Sequence, residues 1–236
     1  MTGPLLQAND LQIHFGGLVV LRGVSFTLAS GELCCIIGPN GAGKSTLFNA
    51  LAGTLRPAQG AIRFEGHNLI GLAIHRFARL GVVRKFQVPS LFENLTVHDN
   101  LQVAGRGLDA AHRAARIEEL LNMLGLVERA SLVAGELAHG HKQWLEIGMA
   151  LMVGPKLLLL DEPTAGMTAE ETRATADLLL GLRGRTAIIV IEHDMRFVRA
   201  VDSRTMVLHQ GRIIADGAFA EIERNSTVRD IYLGRQ

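Results

Sequence analysis

The sequence predicts an α/β fold: a mostly parallel sheet with an N-terminal antiparallel β part and an inserted helical lobe. Three observations carry this reading. Wholly apolar runs at Leu33-Cys34-Cys35-Ile36-Ile37, Leu157-Leu158-Leu159-Leu160 and Ala187-Ile188-Ile189-Val190-Ile191 have the length and continuity of strands buried on both faces. Helix-forming segments alternate with them, the pattern of parallel strands joined by crossovers. Each run ends in a polar or glycine-rich turn, and the carboxyl ends of parallel strands are where ligands sit.

In chain order, Leu5 to Phe15 and Leu18 to Leu28 read as the first strands, broken by Gly16-Gly17 and Gly23. The next strand, 33–37, runs into Gly38-Pro39-Asn40-Gly41-Ala42-Gly43-Lys44-Ser45-Thr46 and then Leu47-Phe48-Asn49-Ala50-Leu51. Strand, glycine-rich turn and helix, with the turn spelled G-x-x-x-x-G-K-S, make a phosphate-binding loop. Glycines let the backbone turn tightly and bring its N–H groups against phosphate oxygens, and the helix N-terminus adds its positive dipole end. Lys44 is expected at the β- and γ-phosphates and Ser45 as a Mg²⁺ ligand, so the chain is expected to bind a nucleoside triphosphate. Phe15, just before a Gly-Gly turn, fits either a ring stacked on the base or a core phenylalanine.

Gly60 to Phe64 reads as a strand, Ala73 to Leu80 as a helix stopped by Gly81, and Val82 to Gln87 as a strand ending in a polar side chain that says little by itself. From Val88 to Val153 the texture is helical. Ile117, Leu120, Leu121 and Leu124 form one apolar stripe stopped by Gly125, while Arg113, Arg116, Glu118 and Glu119 make its solvated face. A second helix is expected from about His141 to Met152, starting after His139-Gly140 with its N-terminus free to face an anion. Trp144, the single tryptophan, is expected to pack in the core.

The 157–160 strand closes at Asp161-Glu162-Pro163. Adjacent carboxylates at the end of an apolar strand are costly without a cation to face, so Asp161 is read as a Mg²⁺ partner. Glu162 is read as the group that polarises a water for attack on the γ-phosphate. Thr168-Ala169-Glu170-Glu171 has capping-box spacing and should open a helix to Leu182. His193, after the 187–191 strand, is placed to reach a γ-phosphate oxygen, although alone it reads better as a surface histidine. Strands near Met206–Leu208 and Arg212–Ala215, a helix from about Ala218 and a short tail complete the chain.

The totals bound the rest. With 236 residues, 48% hydrophobic and 20% charged, the chain is long enough for one large core or a core with a smaller lobe. A formal net charge of +1 provides no field for a polyanion, so nucleic acid is not an expected partner. No apolar run approaches the ~18 residues that cross a bilayer. Met1-Thr2-Gly3-Pro4 lacks a secretory pattern. Cys34 and Cys35, adjacent in a strand, should face opposite sides and stay unpaired in a reducing compartment.

Phe15, the 38–46 loop, Gln87, Leu137-Ala138-His139-Gly140-His141, Leu157 to Glu162 and His193, in this order, resemble the ABC-type ATPases across nearly the whole chain. The resemblance implies a P-loop NTPase (RecA-like) fold in one ABC ATPase domain over 1–236. Its core would be about 1–87 and 154–222, its helical lobe about 88–153 and its C-terminal tail about 223–236. It implies ATP and Mg²⁺ as cofactors, with Phe15 on adenine. Ser45, Gln87 and Asp161 would lie around the metal, and Glu162, His193, Gln87 and Lys44 would do the catalytic work. Residues 137–141 match the signature loop, which reaches the ATP of a second ABC ATPase subunit, either another copy or a close relative. Integral-membrane permease subunits, and through them a solute-binding protein, are the further partners implied, with this chain peripheral on the cytoplasmic face of the inner membrane.

Arg84-Lys85-Phe86-Gln87, Leu91 to Val97, Ala165-Gly166-Met167-Thr168 and Tyr232-Leu233-Gly234 are similar to importers of branched-chain amino acids and urea. His139-Gly140 with Lys142 to Gly148 is most similar to the urea type. An exporter ATPase of the lipopolysaccharide-transport type shares the catalytic motifs but not the 84–87 and 167–168 pattern. The family's usual signature is L-S-G-G-Q, and Ala138 here lacks the serine hydroxyl that donates to the partner's γ-phosphate. Loss of that bond costs about 1.5–3 kcal/mol of closed-dimer stability, which keeps a weakly hydrolysing ATP-binding regulatory module as the other alternative. Thr168 stands where many relatives carry aspartate.

Overall fold

Two sheets organise the computed structural model, which describes residues 3–85 and 91–233. The strands are β1 (Leu6–Phe15), β2 (Leu18–Leu28), β3 (Leu33–Ile37), β4 (Gln59–Phe64), β5 (His67–Asn68), β6 (Val82–Lys85), β7 (Leu157–Asp161), β8 (Ala187–Ile191), β9 (Arg204–His209) and β10 (Arg212–Ala218). An antiparallel sheet has the order β2-β1-β4-β5, and a six-stranded sheet the order β10-β9-β3-β8-β7-β6. The second sheet is parallel from β9 to β6, with β10 antiparallel on its edge. Its three central runs are the apolar strands read from the sequence.

Strand alternation divides the core. Cys35, Leu158, Leu160, Ile188 and Val190 face one way, onto Leu145, Ile147 and Leu151 of α5 (His139–Leu151) and Leu179 of α6 (Ala169–Gly181). Cys34, Ile36, Leu157, Leu159 and Ile189 face the other way, onto Leu47, Phe48 and Leu51 of α1 (Lys44–Leu51) and Leu6, Leu11 and Ile13 of β1. The helix that follows the phosphate loop is therefore packed between the two sheets. Both cysteines are buried and unpaired, on opposite faces as expected.

Between residues 91 and 153 the described chain is helical: α3 (Val97–Ala104), α4 (Ala110–Met123), single 3-10 turns at 127–129 and 134–136, and α5. Thr96 caps α3 by accepting from Asp99 N at 3.0 Å, and Asp109 caps α4 by accepting from His112 N at 3.1 Å. The stripe Ile117, Leu120, Leu121 and Leu124 is buried. Other helices are α2 (Ile74–Leu80), α7 (Met195–Val201), α8 (Phe219–Arg224) and α9 (Ser226–Leu233). Among the described residues no helix is long and apolar enough to cross a membrane.

One expectation needs correction. α5 begins at His139, with Ala138 as its extended N-cap residue (φ −58°, ψ 154°), not at His141. Gly140 lies inside the first turn, where it makes room: a Cβ there would come within 2.3 Å of Glu171 Oε1. The chain is also helical after Asp194 and at Ser226–Leu233. Asp194 opens α7 by accepting from Arg196 N at 2.8 Å, and left-handed Asp202 (φ 39°) ends it.

Candidate functional site

The phosphate loop is built by backbone that side chains would obstruct. Gly38 leaves β3 so close to β9 that a Cβ would meet Leu208 O at 2.1 Å. Gly43 (φ 105°) precedes α1, and a Cβ there would lie 2.9 Å from Leu21 Cδ2 on β2. No side chain caps α1, so its first-turn N–H groups point into the loop and suit an anion. Lys44 Nζ donates to Gly38 O at 2.7 Å and Pro39 O at 3.1 Å. Burial lowers the Lys44 pKa, opposed by Glu162 and then Asp161. Asn40 and Ser45 are exposed, Ala42 is buried, and Pro39 and Thr46 are half-buried.

Asp161 ends β7 and is buried. Its Oδ2 accepts from Arg84 of β6 at 3.1 Å, and the same guanidinium donates to Asn49 Oδ1 of α1 at 2.5 Å. Burial raises the Asp161 pKa and Arg84 lowers it. The cation that the acidic strand end requires is, in this structure, an arginine of the neighbouring strand. Glu162 follows in a left-handed backbone (φ 47°), unusual outside glycine, held where its N–H donates to Ile191 O at 2.9 Å. This bend turns its carboxylate to His193, with Oε1 3.3 Å from Nδ1.

Sequence reading missed Glu192. It is wholly buried, and its carboxylate accepts four hydrogen bonds. Oε1 takes Thr164 N at 3.0 Å and Thr164 Oγ1 at 2.6 Å; Oε2 takes His193 N at 3.0 Å and Asp194 N at 3.3 Å. One side chain thereby locks the turn after Glu162 to the turn holding His193. The available signal was its position: a carboxylate directly after an all-apolar strand, as Asp161 is at the end of another.

Phe15 is 52% exposed at the tip of the β1–β2 hairpin, which removes the core reading. From that hairpin β2 passes the phosphate loop, with Leu21 and Val20 against Gly43. Gln87 lies outside the described residues.

Residues 137–141 are brought elsewhere. Leu137 is buried, while Ala138 and His139 are exposed. His139 Nε2 lies 2.9 Å from Ala165 O, in the turn after Glu162, and Gly140 packs on Glu171. Glu171 forms the expected capping box with Thr168. His141 meets the Trp144 ring edge-on at 5.2 Å, and burial lowers its pKa. Trp144 is only partly buried and donates to Thr175 Oγ1 at 2.8 Å, pinning α5 to α6. Among the described residues the contacts of His139, Gly140 and Trp144 run to α6 and the turn before it, His141 meets Trp144 of its own helix, and none of these reaches this chain's own phosphate loop.

The family model for ABC transporter matches residues 21–165. The high-affinity branched-chain amino acid transport ATP-binding protein LivG of Salmonella typhimurium is 40% identical, with 99% of each chain covered. The lipopolysaccharide export system ATP-binding protein LptB of Acidithiobacillus ferridurans is 34% identical, with 98% of each covered. Among solved structures, the ADP conformation of MJ1267, an ATP-binding cassette of an ABC transporter, aligns with a TM-score of 0.87 at 30% identity, covering 99% of this chain and 100% of that one. The chain belongs to the ABC transporter family, as an ATP-binding subunit whose ATPase activity is coupled to transport.

Proposed function

We propose that this chain energises an importer for branched-chain or related hydrophobic amino acids, acting on the cytoplasmic face of the membrane beneath permease subunits. The observation that carries the catalytic half is that the Lys44 loop follows β3, Asp161 and Glu162 close β7 and His193 follows β8, three neighbouring parallel strands, with Glu162 Oε1 3.3 Å from His193 Nδ1. The full-length likeness to LivG, greater than that to LptB, supports import over export. Urea is the second candidate solute, favoured by His139-Gly140 and Lys142 to Gly148.

The residues fit a magnesium nucleotide. A glycine backbone and an uncapped helix would receive phosphate. Mg²⁺ suits such a site, since it is commonly held by one or two protein oxygens together with phosphates and water. Bound ATP would supply the phosphoryl bond to be cleaved, and Mg²⁺ would supply charge neutralisation on the phosphates. Lys44 turns from the Gly38 and Pro39 carbonyls to the phosphates. Ser45, Gln87 and Asp161 would hold the metal, and Arg84 donates to Asp161 Oδ2. Glu162 takes a proton from the attacking water, and His193 keeps that carboxylate oriented and reaches the γ-phosphate. Phe15 stacks on adenine. Residues 137–141 close over the ATP of a second subunit, a copy or a close relative, and the 88–153 lobe passes that closure to the permease.

Mg²⁺-dependent ATP hydrolysis by the purified chain or its complex tests the catalytic assignment, with Glu162→Gln abolishing turnover. Equal turnover in the variant would remove Glu162 from its role and favour the regulatory-module reading. Capture of the intact membrane complex, followed by uptake of labelled leucine and urea, separates the solutes.

A further inference from the structure

Lys85 ends the described part of β6 with its side chain only 3% exposed. Its ammonium lies 3.2 Å from Glu146 Oε2 and donates to Gln143 Oε1, both on α5. Gln143 and Glu146 are buried and three residues apart, so they share one helical face. The preceding residue, Arg84, points the opposite way, as strand alternation requires, to Asp161 and to Asn49 of α1. Across one peptide bond, β6 therefore holds the acidic end of β7 on one face and the helix that begins at residues 138–141 on the other. β6 is the edge of its sheet, hydrogen-bonded among the described strands to β7 alone.

The chemistry of this contact is costly for adhesion alone. Leu145 and Ile147 are buried on the same helix, and apolar side chains pack a helix onto a strand without removing charges from water. Burying a lysine–glutamate pair is commonly no more stabilising than burying apolar residues of similar volume, and half of such a pair is strongly destabilising. What a paired charge with an added amide does provide is a single distance and register, because sliding by one residue would strand an ionised group. Burial pulls the Lys85 pKa down and Glu146, its nearest acid, draws it back; Asp161 and Glu192 act in the same direction as Glu146.

We propose that Lys85, with Gln143 and Glu146, is a buried polar joint that holds α5 at a fixed position relative to the nucleotide site on β6 and β7. Lys85 is thus a positioning residue for the half-site that this subunit offers its partner. The proposal rests on the reading of residues 137–141 as acting on a second subunit's ATP. It joins the two roles of one chain: Arg84 reads the acid of its own site, and Lys85 fixes the segment sent to the other.

Lys85→Met alone removes the cation from beside the buried Glu146 carboxylate and is a folding risk, so the informative variant is Lys85→Met/Glu146→Gln, which takes away both charges together. Glu146→Gln alone is its companion. All are made in the Glu162→Gln chain so that MgATP persists. In the double variant, the melting temperature and the affinity of the monomer for a fluorescent ATP analogue should stay close to the parent. The protein concentration needed for half-maximal MgATP-driven association should rise about tenfold, the order of a coupling between distant sites. Glu146→Gln, which keeps volume and hydrogen bonding, should fall between the two. A folded double variant that associates like its parent overturns the joint while leaving the two-subunit reading intact. Equal weakening of analogue binding and association also overturns it, by placing the role at the chain's own site. If the parent fails to associate with MgATP, both alone and with the partner ATPase recovered from its complex, the two-subunit reading falls and takes the joint with it.

Discussion

Glu192 makes the argument at the scale of one residue. All four of its partners donate, three of them backbone N–H groups that cannot change role. Glu192→Gln is therefore not conservative: an amide has one acceptor oxygen, and its NH₂ would face either Thr164 N or the paired N–H groups of His193 and Asp194. Leaving buried donors unsatisfied should destabilise the fold by about 1–3 kcal/mol, read as a lower denaturant midpoint at unchanged slope. Turnover should fall as well, because the His193 turn loses its tie to the Glu162 turn; retention of both would show that the two turns hold themselves. His141 gives a pH effect. Burial lowers its pKa below the ordinary 6.5, so the unfolded chain binds a proton more readily than the folded one. Its contribution is present above that value and is lost as pH falls through the folded-state pKa. His141→Gln should make the acid side of the stability–pH curve less steep than in wild type, and identical slopes would remove His141 from the account.

At the scale of elements, Gly140 separates two effects of comparable size. Replacing glycine by alanine inside a helix favours the helix by about 1 kcal/mol. The added Cβ would displace the Glu171 carboxylate, whose Oε2 accepts from Thr168 N and Oγ1 at 2.9 Å each, and loss of a capping contact costs about 1 kcal/mol. Gly140→Ala should thus leave the melting temperature nearly unchanged. Turnover should still drop by about tenfold or more, since the start of α5 moves against α6 and small misplacements at reacting groups are expensive. A variant as active as wild type would show that Gly140 has no positional role. The same glycine shows where sequence reading ends. The apolar runs 33–37, 157–160 and 187–191 were legible because burial on both faces leaves an unbroken pattern, and the phosphate loop because its chemistry demands glycines, lysine and serine at set spacing. Phe15 stayed ambiguous until its exposure was known. The start of α5, the Arg84–Asp161 pair, the Lys85 contacts and the bonds of Glu192 to Thr164 were not legible. Each depends on groups between 28 and 77 positions apart meeting in space, and no local pattern records which pair will meet.

At the scale of the molecule, β3 is shared by two cores, and its adjacent cysteines report on them separately. Cys34 lies in the core between the sheets with α1, and Cys35 in the core beneath α5, α6 and α7. Burial raises both thiol pKa values, that of Cys35 to about 12, and only the thiolate reacts. Neither should be modified by an alkylating reagent while the fold is closed, so labelling measures opening. Because β3 is central in its sheet, with β9 on one side and β8 on the other, exposing either face requires the loss of the same strand pairings. The two cysteines should therefore be labelled together, in a single unfolding event, as followed by mass spectrometry over time in moderate denaturant. ATP at about 100 times its Kd should slow both equally, by about a hundredfold where labelling follows the open population, because binding to the folded state alone stabilises it by about 2.7 kcal/mol. Earlier labelling of Cys34 than of Cys35 would mean that the antiparallel sheet separates first. The phosphate loop would then be losing its β2 wall at Gly43 while the parallel sheet still stands, and ATP bound at that loop should protect Cys34 more than Cys35.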